Sequence, residues 1–247
     1  MPKTIFKYRI YTTLVAFSIL LALFLPHVVK AQPRELERIS EAKSAEELIE
    51  IYSDSDNAIA RKRAIQALSL LAGQAESTES QAKSRLQGAV TPSAIAPAYE
   101  LLDLGLADPD ISVVKESIYQ IGYLRLASYN EILVEMYHNA GSQFPGSQKE
   151  IQSRIIHALG QTGAPEAQAL FRQILASGEV NYRTDKVLYA IRDMQDATYL
   201  EAVTAYAENV EDLMMAMGNT PETRPRYAMY MQSLQLARRV QKLLSEK

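Results

Sequence analysis

The stretches DPDISVVKESIYQIGYL (108–124) and SQKEIQSRIIHALGQTGAPEA (147–167) share one layout, and this layout decides the fold. Aligning Gly122 with Gly160 superposes the apolar residues of the two stretches. Their spacing is that of an amphipathic helix, and no convincing alternation typical of a strand occurs along the chain. The sequence therefore predicts an all-α protein.

The same register continues in both directions. ARKRAIQALSLLA and RTDKVLYAIRDMQ place Ser69 and Arg192 in the column of the two glycines, so the four anchors are separated by 53, 38 and 32 residues. The first separation is long because a polar stretch, QAESTESQAKSR (74–85), is inserted. A period of this length indicates a repeat architecture.

An additional amphipathic helix is predicted before each repeated helix and before the C-terminal segment. The candidates are Ala45–Tyr52, Ala94–Leu106, Glu131–Asn139, Glu166–Ala176 and Thr198–Glu208. Helix pairs at a period of about thirty to fifty residues are typical of an α-solenoid, an α-α superhelix. We expect about four to five helix pairs over residues 32–210, closed by a C-terminal capping helical segment over 211–247.

The motifs D-P-D-x-x-V (108–113) and A-L-G-x-x-G-A-P-E-A (158–167) resemble the HEAT-like repeats of the phycobilisome-lyase type. The resemblance covers about residues 44–210. Val114 and Gln152 depart from it, because the family often has Arg in their column. The resemblance implies the architecture alone, since such repeats serve many unrelated functions.

The N-terminus has the layout of a cleaved signal peptide. A basic start precedes the apolar run LVAFSILLALFL (14–25), and V-K-A then ends at Ala31. A signal peptide over residues 1–31 predicts an exported protein, periplasmic or secreted. The alternative is an uncleaved membrane anchor over residues 10–29, with the rest of the chain outside the cytoplasm.

Composition narrows the classes of partner. Residues 1–31 carry four of the 26 basic residues and none of the 29 acidic ones, so their removal leaves a net charge of −7. This acidity argues against nucleic acid as a partner. Because the chain has no cysteine, it has neither a disulfide nor a thiolate metal site. We expect no cofactor.

No catalytic or metal-binding motif stands out. His138 and His157 fall on different predicted helices without a zinc-binding spacing, so no metal site is predicted. Three acidic pairs lie where helices begin or end: Asp54/Asp56, Asp108/Asp110 and Glu46/Glu47. Acid–base catalysis is one interpretation of these pairs, but their positions favour helix capping.

The repeat register separates a buried face from an exposed one. Counting from the glycine column at 100° per residue, Ile118 and Ile156 fall in the apolar arc. Each column is numbered by its distance in residues from the glycine column, with negative numbers toward the N-terminus. The columns at −10, −7, −6 and −3 fall between about 20° and 120°, on the opposite, polar face of the helix, and Glu116 belongs to the −6 column. Six residues in these columns are the candidate partner-binding residues: Tyr119, Arg154, His157, Tyr182, Lys186 and Tyr189.

Tyr and Arg are frequent anchors of binding interfaces, and second helices of such repeats line the concave surface. The alternative is an ordinary solvated face in which tyrosine rings cover the seam between repeats. A Met- and Tyr-rich cluster near the cap is a second surface, although we expect it to fill the core. It comprises Met214, Met215, Met217, Tyr227, Met229, Tyr230 and Met231.

Three functions are compatible with these features. The favoured one is an exported scaffold, not an enzyme, that binds a protein or peptide on its concave face. The alternatives are a lyase-like or other enzyme built on HEAT-like repeats, and a purely structural component of the cell envelope.

The first testable prediction concerns processing. We expect cleavage after Ala31, so that the exported protein begins at Gln32, because V-K-A follows a short apolar core. N-terminal sequencing of exported protein checks it, and an intact Met1 would contradict it.

Overall fold

The computed structural model describes residues 34–76, 92–163 and 165–246, and all regular structure in these ranges is helical. The all-α prediction is thereby confirmed. The predicted signal peptide with its cleavage site, and residues 77–85 of the predicted insertion, lie outside the described residues.

Internal contacts divide the chain into two units, Met1–Gly105 and Leu106–Lys247. In the first unit, residues 34–41 are helical and are followed by α1 (Ala45–Asp54), α2 (Ala58–Glu76) and α3 (Pro92–Leu106). Helices α1 and α2 pack against each other. The Tyr52 hydroxyl of α1 donates a hydrogen bond to the Leu104 carbonyl of α3, 3.1 Å away.

Side-chain caps explain where several helices begin. Ser44 Oγ accepts from the Glu47 amide at 3.3 Å, while the Glu47 carboxylate accepts from the Lys43 amide at 2.7 Å. Asp110 caps its helix in the same way, through the Ser112 amide at 2.8 Å. These contacts confirm the capping interpretation for the pairs that contain Glu47 and Asp110.

The pair Asp54/Asp56 behaves differently. The cap of α2 is Asn57, whose side-chain oxygen accepts from the Ile59 amide at 2.9 Å. Asp54 instead forms a 3.8 Å ion pair with Arg38. The capping interpretation was therefore wrong for Asp54.

The second unit consists of helices in two rows. They are α4 (Ile111–Tyr123), α5 (Asn130–Gln143), α6 (Gln148–Thr162), α7 (Pro165–Ala176), α8 (Tyr182–Met194), α9 (Leu200–Met217) and α10 (Arg224–Ser245). In one row α4 packs on α6, α6 on α8 and α8 on α10, and in the other α5 packs on α7 and α7 on α9. The rows also contact each other, through α5–α6, α7–α8 and α9–α10.

The glycine column marks where helices of the first row approach most closely. A Cβ atom added to Gly122 of α4 would lie 2.7 Å from the Ala158 Cα of α6. One added to Gly160 of α6 would lie 2.7 Å from the Ala190 Cβ of α8. Both distances are shorter than a van der Waals contact, so packing requires glycine at these two positions of the column.

The column three residues after the glycine column has a recurring backbone conformation. The residue three positions after the anchors of the second unit, Gly122, Gly160 and Arg192, is left-handed: Arg125 at φ 54°, Gly163 at φ 68° and Gln195 at φ 53°. The anchor Ser69 of the first unit does not share this feature, because Ala72 lies inside α2. Left-handed residues commonly end helices, and glycine adopts this conformation at the lowest cost. The repeat register derived from the sequence thus coincides with a recurring backbone feature.

The buried face follows the sequence prediction with one exception. Ile118 and Ile156 are fully buried, as their columns predicted. Glu116, assigned to the exposed columns, is only 9% exposed, and its carboxylate accepts a hydrogen bond from Gln120 Nε2 at 3.0 Å. Its column lies at about 120°, the edge of the polar arc. An edge column is buried or exposed according to its neighbours.

The last helix, α10, packs against both α8 and α9. A buried network fixes it, in which Tyr206 and Ser233 hydroxyls lie 2.9 Å apart and Ser233 donates to Asp185 Oδ1 at 2.7 Å. Burial raises the pKa of the Tyr206 hydroxyl to about 12, so this group remains a donor at neutral pH. Helix α9 continues through the boundary at 210/211 that the sequence suggested.

The Met- and Tyr-rich cluster does not act as one core element. Met214 and Tyr230 are buried, whereas Met215 is 70% exposed and Met229 is also exposed. The core interpretation was therefore wrong for the last two residues. Helical spacing places Met215 on the face of α9 that points away from α10, and Met229 on the face of α10 that points away from α9.

The close approach of α6 and α8 gives a stability prediction. Gly160→Ala should lower the free energy of unfolding by about 1–2 kcal/mol, because overpacking outweighs the better helix propensity of Ala. Adding Ala190→Gly should restore most of this loss, since it removes the clashing methyl group. Urea unfolding provides the measurement.

The matched control is Gly141→Ala, because its added Cβ would only touch the flexible Gln148 side chain at 3.4 Å. This variant should be neutral or stabilising. An equal loss in Gly141→Ala and Gly160→Ala would contradict the packing explanation.

The left-handed column gives a second stability prediction. Arg125→Gly should raise the free energy of unfolding by about 0.5–1 kcal/mol by relieving the cost of a left-handed non-glycine residue. Gly163→Ala, in the same column and with open space around it, should lower that free energy by a similar amount. Thermal melts of both variants test the pair, and shifts of the same sign would refute it.

Candidate functional site

Three helices of the first row bring most of the candidate residues into one depression of about 260 Å³. It is lined by Tyr119 of α4, by Ser153, Arg154 and His157 of α6, and by Lys186, Tyr189, Ala190 and Asp193 of α8. We call these eight lining residues the strip. Five of the six candidate residues predicted from the sequence belong to it. Ala190 also makes the close approach to Gly160, so helix packing and the strip share a residue.

Two exposed tyrosines contribute aromatic surface to the strip. Tyr119 is 40% exposed and Tyr189 is 43% exposed. The ring of Tyr119 stacks on Tyr123, with centroids 6.1 Å apart and planes at 22°. The Arg192 guanidinium lies 5.0 Å from the Tyr189 ring centroid. These contacts hold both rings in place at the surface, which reduces the entropy lost when a ligand binds.

Arg154 is the best-connected cation of the strip. Its guanidinium lies 3.6 Å from the Glu150 carboxylate, which also accepts a 2.8 Å hydrogen bond from Lys115 of α4. The Lys115 hydrogen bond and the two nearby positive charges hold the pKa of the Glu150 carboxyl below its usual value. Glu150 therefore remains ionised, but its single negative charge is shared between Lys115 and Arg154, so the three groups together keep a positive charge.

The other ionisable residues of the strip differ in whether they have a partner. Asp193 is paired with Arg192, whose guanidinium lies 2.7 Å from its carboxylate. Lys186 and His157 are both exposed, and neither has an ion pair or hydrogen bond with any described residue. The strip thus presents one unpaired ammonium group beside a solvent-accessible imidazole.

Tyr182 is not part of the depression. It is half-buried, and its hydroxyl donates to Gln152 Oε1 at 3.4 Å, while Gln152 Nε2 donates to the Tyr137 carbonyl at 3.1 Å. Burial raises the pKa of its hydroxyl. It lies four residues before Lys186, the first α8 residue of the depression, and so about 6 Å beyond the end of the depression along the helix axis.

Sequence reasoning missed three residues of the strip, Ser153, Ala190 and Asp193, and also Tyr123, which stacks on Tyr119. Tyr123 and Asp193 both occupy the column one after the glycine anchor, at about 100° on the wheel. This angle lies inside the arc already assigned to the exposed face. Extending the column set by one position would have included both.

The larger depression of the first unit, about 800 Å³, is a weaker candidate. Its lining includes Arg38, Lys43, Glu47 and Glu50, which are exposed groups of both signs. Glu47 already serves the cap of α1. Nothing in this set selects a ligand.

Two further features were sought in the described ranges. These ranges contain no group of three or more His, Cys, Asp or Glu side chains placed to hold a metal ion. None of the helices within them is both long and apolar enough to cross a membrane.

The chain matches no protein-family profile, no curated protein and no solved structure. The function must therefore be argued from the strip and the repeat that positions it.

Proposed function

We propose that the chain is an exported scaffold that binds a protein partner, without catalysis, through an extended acidic segment held on the strip. In this proposal the helices form an α-solenoid of about four to five HEAT-like pairs, α10 closes its end, and the strip lies on the concave face. Export is supported by the signal-like N-terminal layout.

The architecture is supported by three periodic features of the second unit. The glycine column recurs at the crossings of α4 with α6 and of α6 with α8. The left-handed column recurs at the ends of α4, α6 and α8. The two rows of helices are the arrangement expected when repeats pack against their sequence neighbours.

The observation that carries the binding proposal is the convergence of Tyr119, His157 and Tyr189, from the neighbouring helices α4, α6 and α8 of the first row, in one depression. They share the −3 column, so a ligand crossing the helices meets them in order. Exposed aromatic side chains beside basic groups are the composition of interface anchors rather than of an ordinary solvated surface.

Charge supports an acidic segment as the ligand. The chain after residue 31 carries a net charge of −7, yet the strip contains Arg154, His157 and Lys186 against the single acid Asp193, itself paired. Local potential governs which peptide docks, and a positive strip attracts an acidic one. Because the strip crosses three helices, we expect the bound peptide to be extended.

The proposal predicts that the two tyrosines dominate binding. Tyr119→Ala combined with Tyr189→Ala should weaken binding of an extended peptide of alternating Glu and Ala by at least about tenfold, because both anchors are lost. Fluorescence anisotropy of the labelled peptide with purified protein measures the affinity. Helical content and melting should be nearly unchanged, since both side chains face solvent.

The matched control is Ile132→Ala on α5, in the other row, where the side chain is 44% exposed. It should leave the affinity unchanged. A counterpart peptide with Lys in place of Glu should bind the unchanged protein more weakly. Equal affinity for both peptides, or no effect of the tyrosine double variant, would count against the strip as the binding face.

A further inference from the structure

We propose, on the basis of the binding function proposed above, that Arg154 binds a side-chain carboxylate of the acidic segment, and that Glu150 and Lys115 are positioning residues that hold its guanidinium in the depression. Arg154 lines the depression, whereas Glu150 and Lys115 do not. These two residues therefore act on the ligand through Arg154 and not by touching it.

A chain of two ion pairs leads from α4 to Arg154. Lys115 Nζ of α4 donates a 2.8 Å hydrogen bond to Glu150 Oε1 of α6, and the Lys115 side chain is only 19% exposed. Arg154 lies one helical turn after Glu150, and its Nη2 atom is 3.6 Å from the same oxygen. The position of the Arg154 guanidinium is therefore set by a contact between two helices rather than by α6 alone.

The three groups carry two positive charges and one negative charge, so one positive charge is left over. Lys115 makes the shorter contact with Glu150 and therefore takes the larger share of its negative charge. The excess positive charge lies mainly at Arg154, the member of the three that lines the depression. An incoming carboxylate meets this charge at the surface of the strip.

The hydrogen-bond donors of Arg154 are not used within the described part of the chain. The Glu150 oxygen at 3.6 Å is beyond hydrogen-bond distance, and Arg154 Nε is buried without a partner. A buried donor with no partner is a cost that the free protein carries. When the guanidinium turns toward a carboxylate, it breaks no hydrogen bond and gains a partner for its donors.

The guanidinium of Arg154 suits a carboxylate better than the ammonium group of Lys186 does. A planar guanidinium can meet both carboxylate oxygens with two parallel N–H donors, whereas an ammonium group is a strongly hydrated point charge. Lys186 is exposed and has no ion pair with a described residue, so fixing its side chain costs more entropy. Lys186 therefore attracts the segment, and Arg154 binds it.

The first test compares variants that remove the same charge from the strip. The probe is the Glu–Ala peptide with an amidated C-terminus, so that only its glutamate side chains supply carboxylates. Arg154→Gln should weaken binding about tenfold, and Arg154→Lys about threefold, because the lysine keeps the charge but loses the paired donors. Lys186→Gln should weaken binding only about two- to threefold at low salt, and this loss should vanish at about 0.5 M salt.

The matched control is Arg238→Gln on α10. The Arg238 side chain is 42% exposed, as that of Arg154 is, and it pairs with Glu211 at 2.6 Å, but it lies outside the depression. This variant should leave the affinity unchanged. Equal losses in Arg154→Gln and Lys186→Gln would overturn Arg154 as the binding residue while leaving the binding face intact.

The second test asks whether Glu150 acts through Arg154. At about 0.5 M salt, where repulsion between distant charges is screened, Glu150→Ala should weaken binding about threefold in the otherwise unchanged protein. In the Arg154→Gln background the same change should have no effect. A Glu150 side chain that only repels the acidic peptide would act with the opposite sign, since its removal would strengthen binding in both backgrounds.

Two results would overturn the positioning role. They are no loss on Glu150→Ala in the otherwise unchanged protein, or the same loss in both backgrounds. If the unchanged protein fails to bind the acidic peptide at all, the proposed function falls and the role of Arg154 falls with it. Circular dichroism melts of every variant exclude unfolding as the cause of a lost affinity.

Discussion

The close approach of neighbouring helices at the glycine column is the constraint on which the second unit depends. At Gly122 and Gly160 the adjoining helix presents the small residues Ala158 and Ala190, so the two backbones approach closely. Close packing of this kind gains dispersion contacts at the crossing and tolerates no added methyl group. It also fixes how far apart the outward-facing columns of α4, α6 and α8 lie. Tyrosines on separate helices share one depression because of this spacing.

Charge in the second unit is organised locally rather than by the net balance of the chain. An acidic protein carries a basic strip because Glu150 and Asp193 are each engaged by a neighbouring cation, which leaves Lys186 unopposed. Interactions between exposed charges fade beyond about 8–10 Å at physiological salt, so distant acids do little to cancel the strip. The aromatic rings beside it add contact area that does not depend on salt.

The sequence predicted much of this arrangement, and its errors have identifiable causes. The core column containing Ile118 and Ile156 was predicted correctly because its residue is apolar in all four repeats, with Ile65 and Leu188 in the other two. Glu116 was assigned wrongly because it lies at the edge of the polar arc, where a neighbouring side chain decides burial. Tyr182 has the right wheel angle but the wrong height along α8. Met215 and Met229 have apolar side chains, yet their helices leave them in solvent.

The sequence by itself determined that the chain is helical, where most helices lie, and which side of each repeated helix is apolar. These properties depend on the 3.6-residue period, which is local and can be read along one helix. Only the tertiary structure decided which columns of adjacent helices meet, which acid neutralises which cation, and therefore which basic residue stays unpaired. Those properties depend on the distance and axial offset between helices. They are set by small side chains at the crossings, and no periodicity within a single helix encodes them.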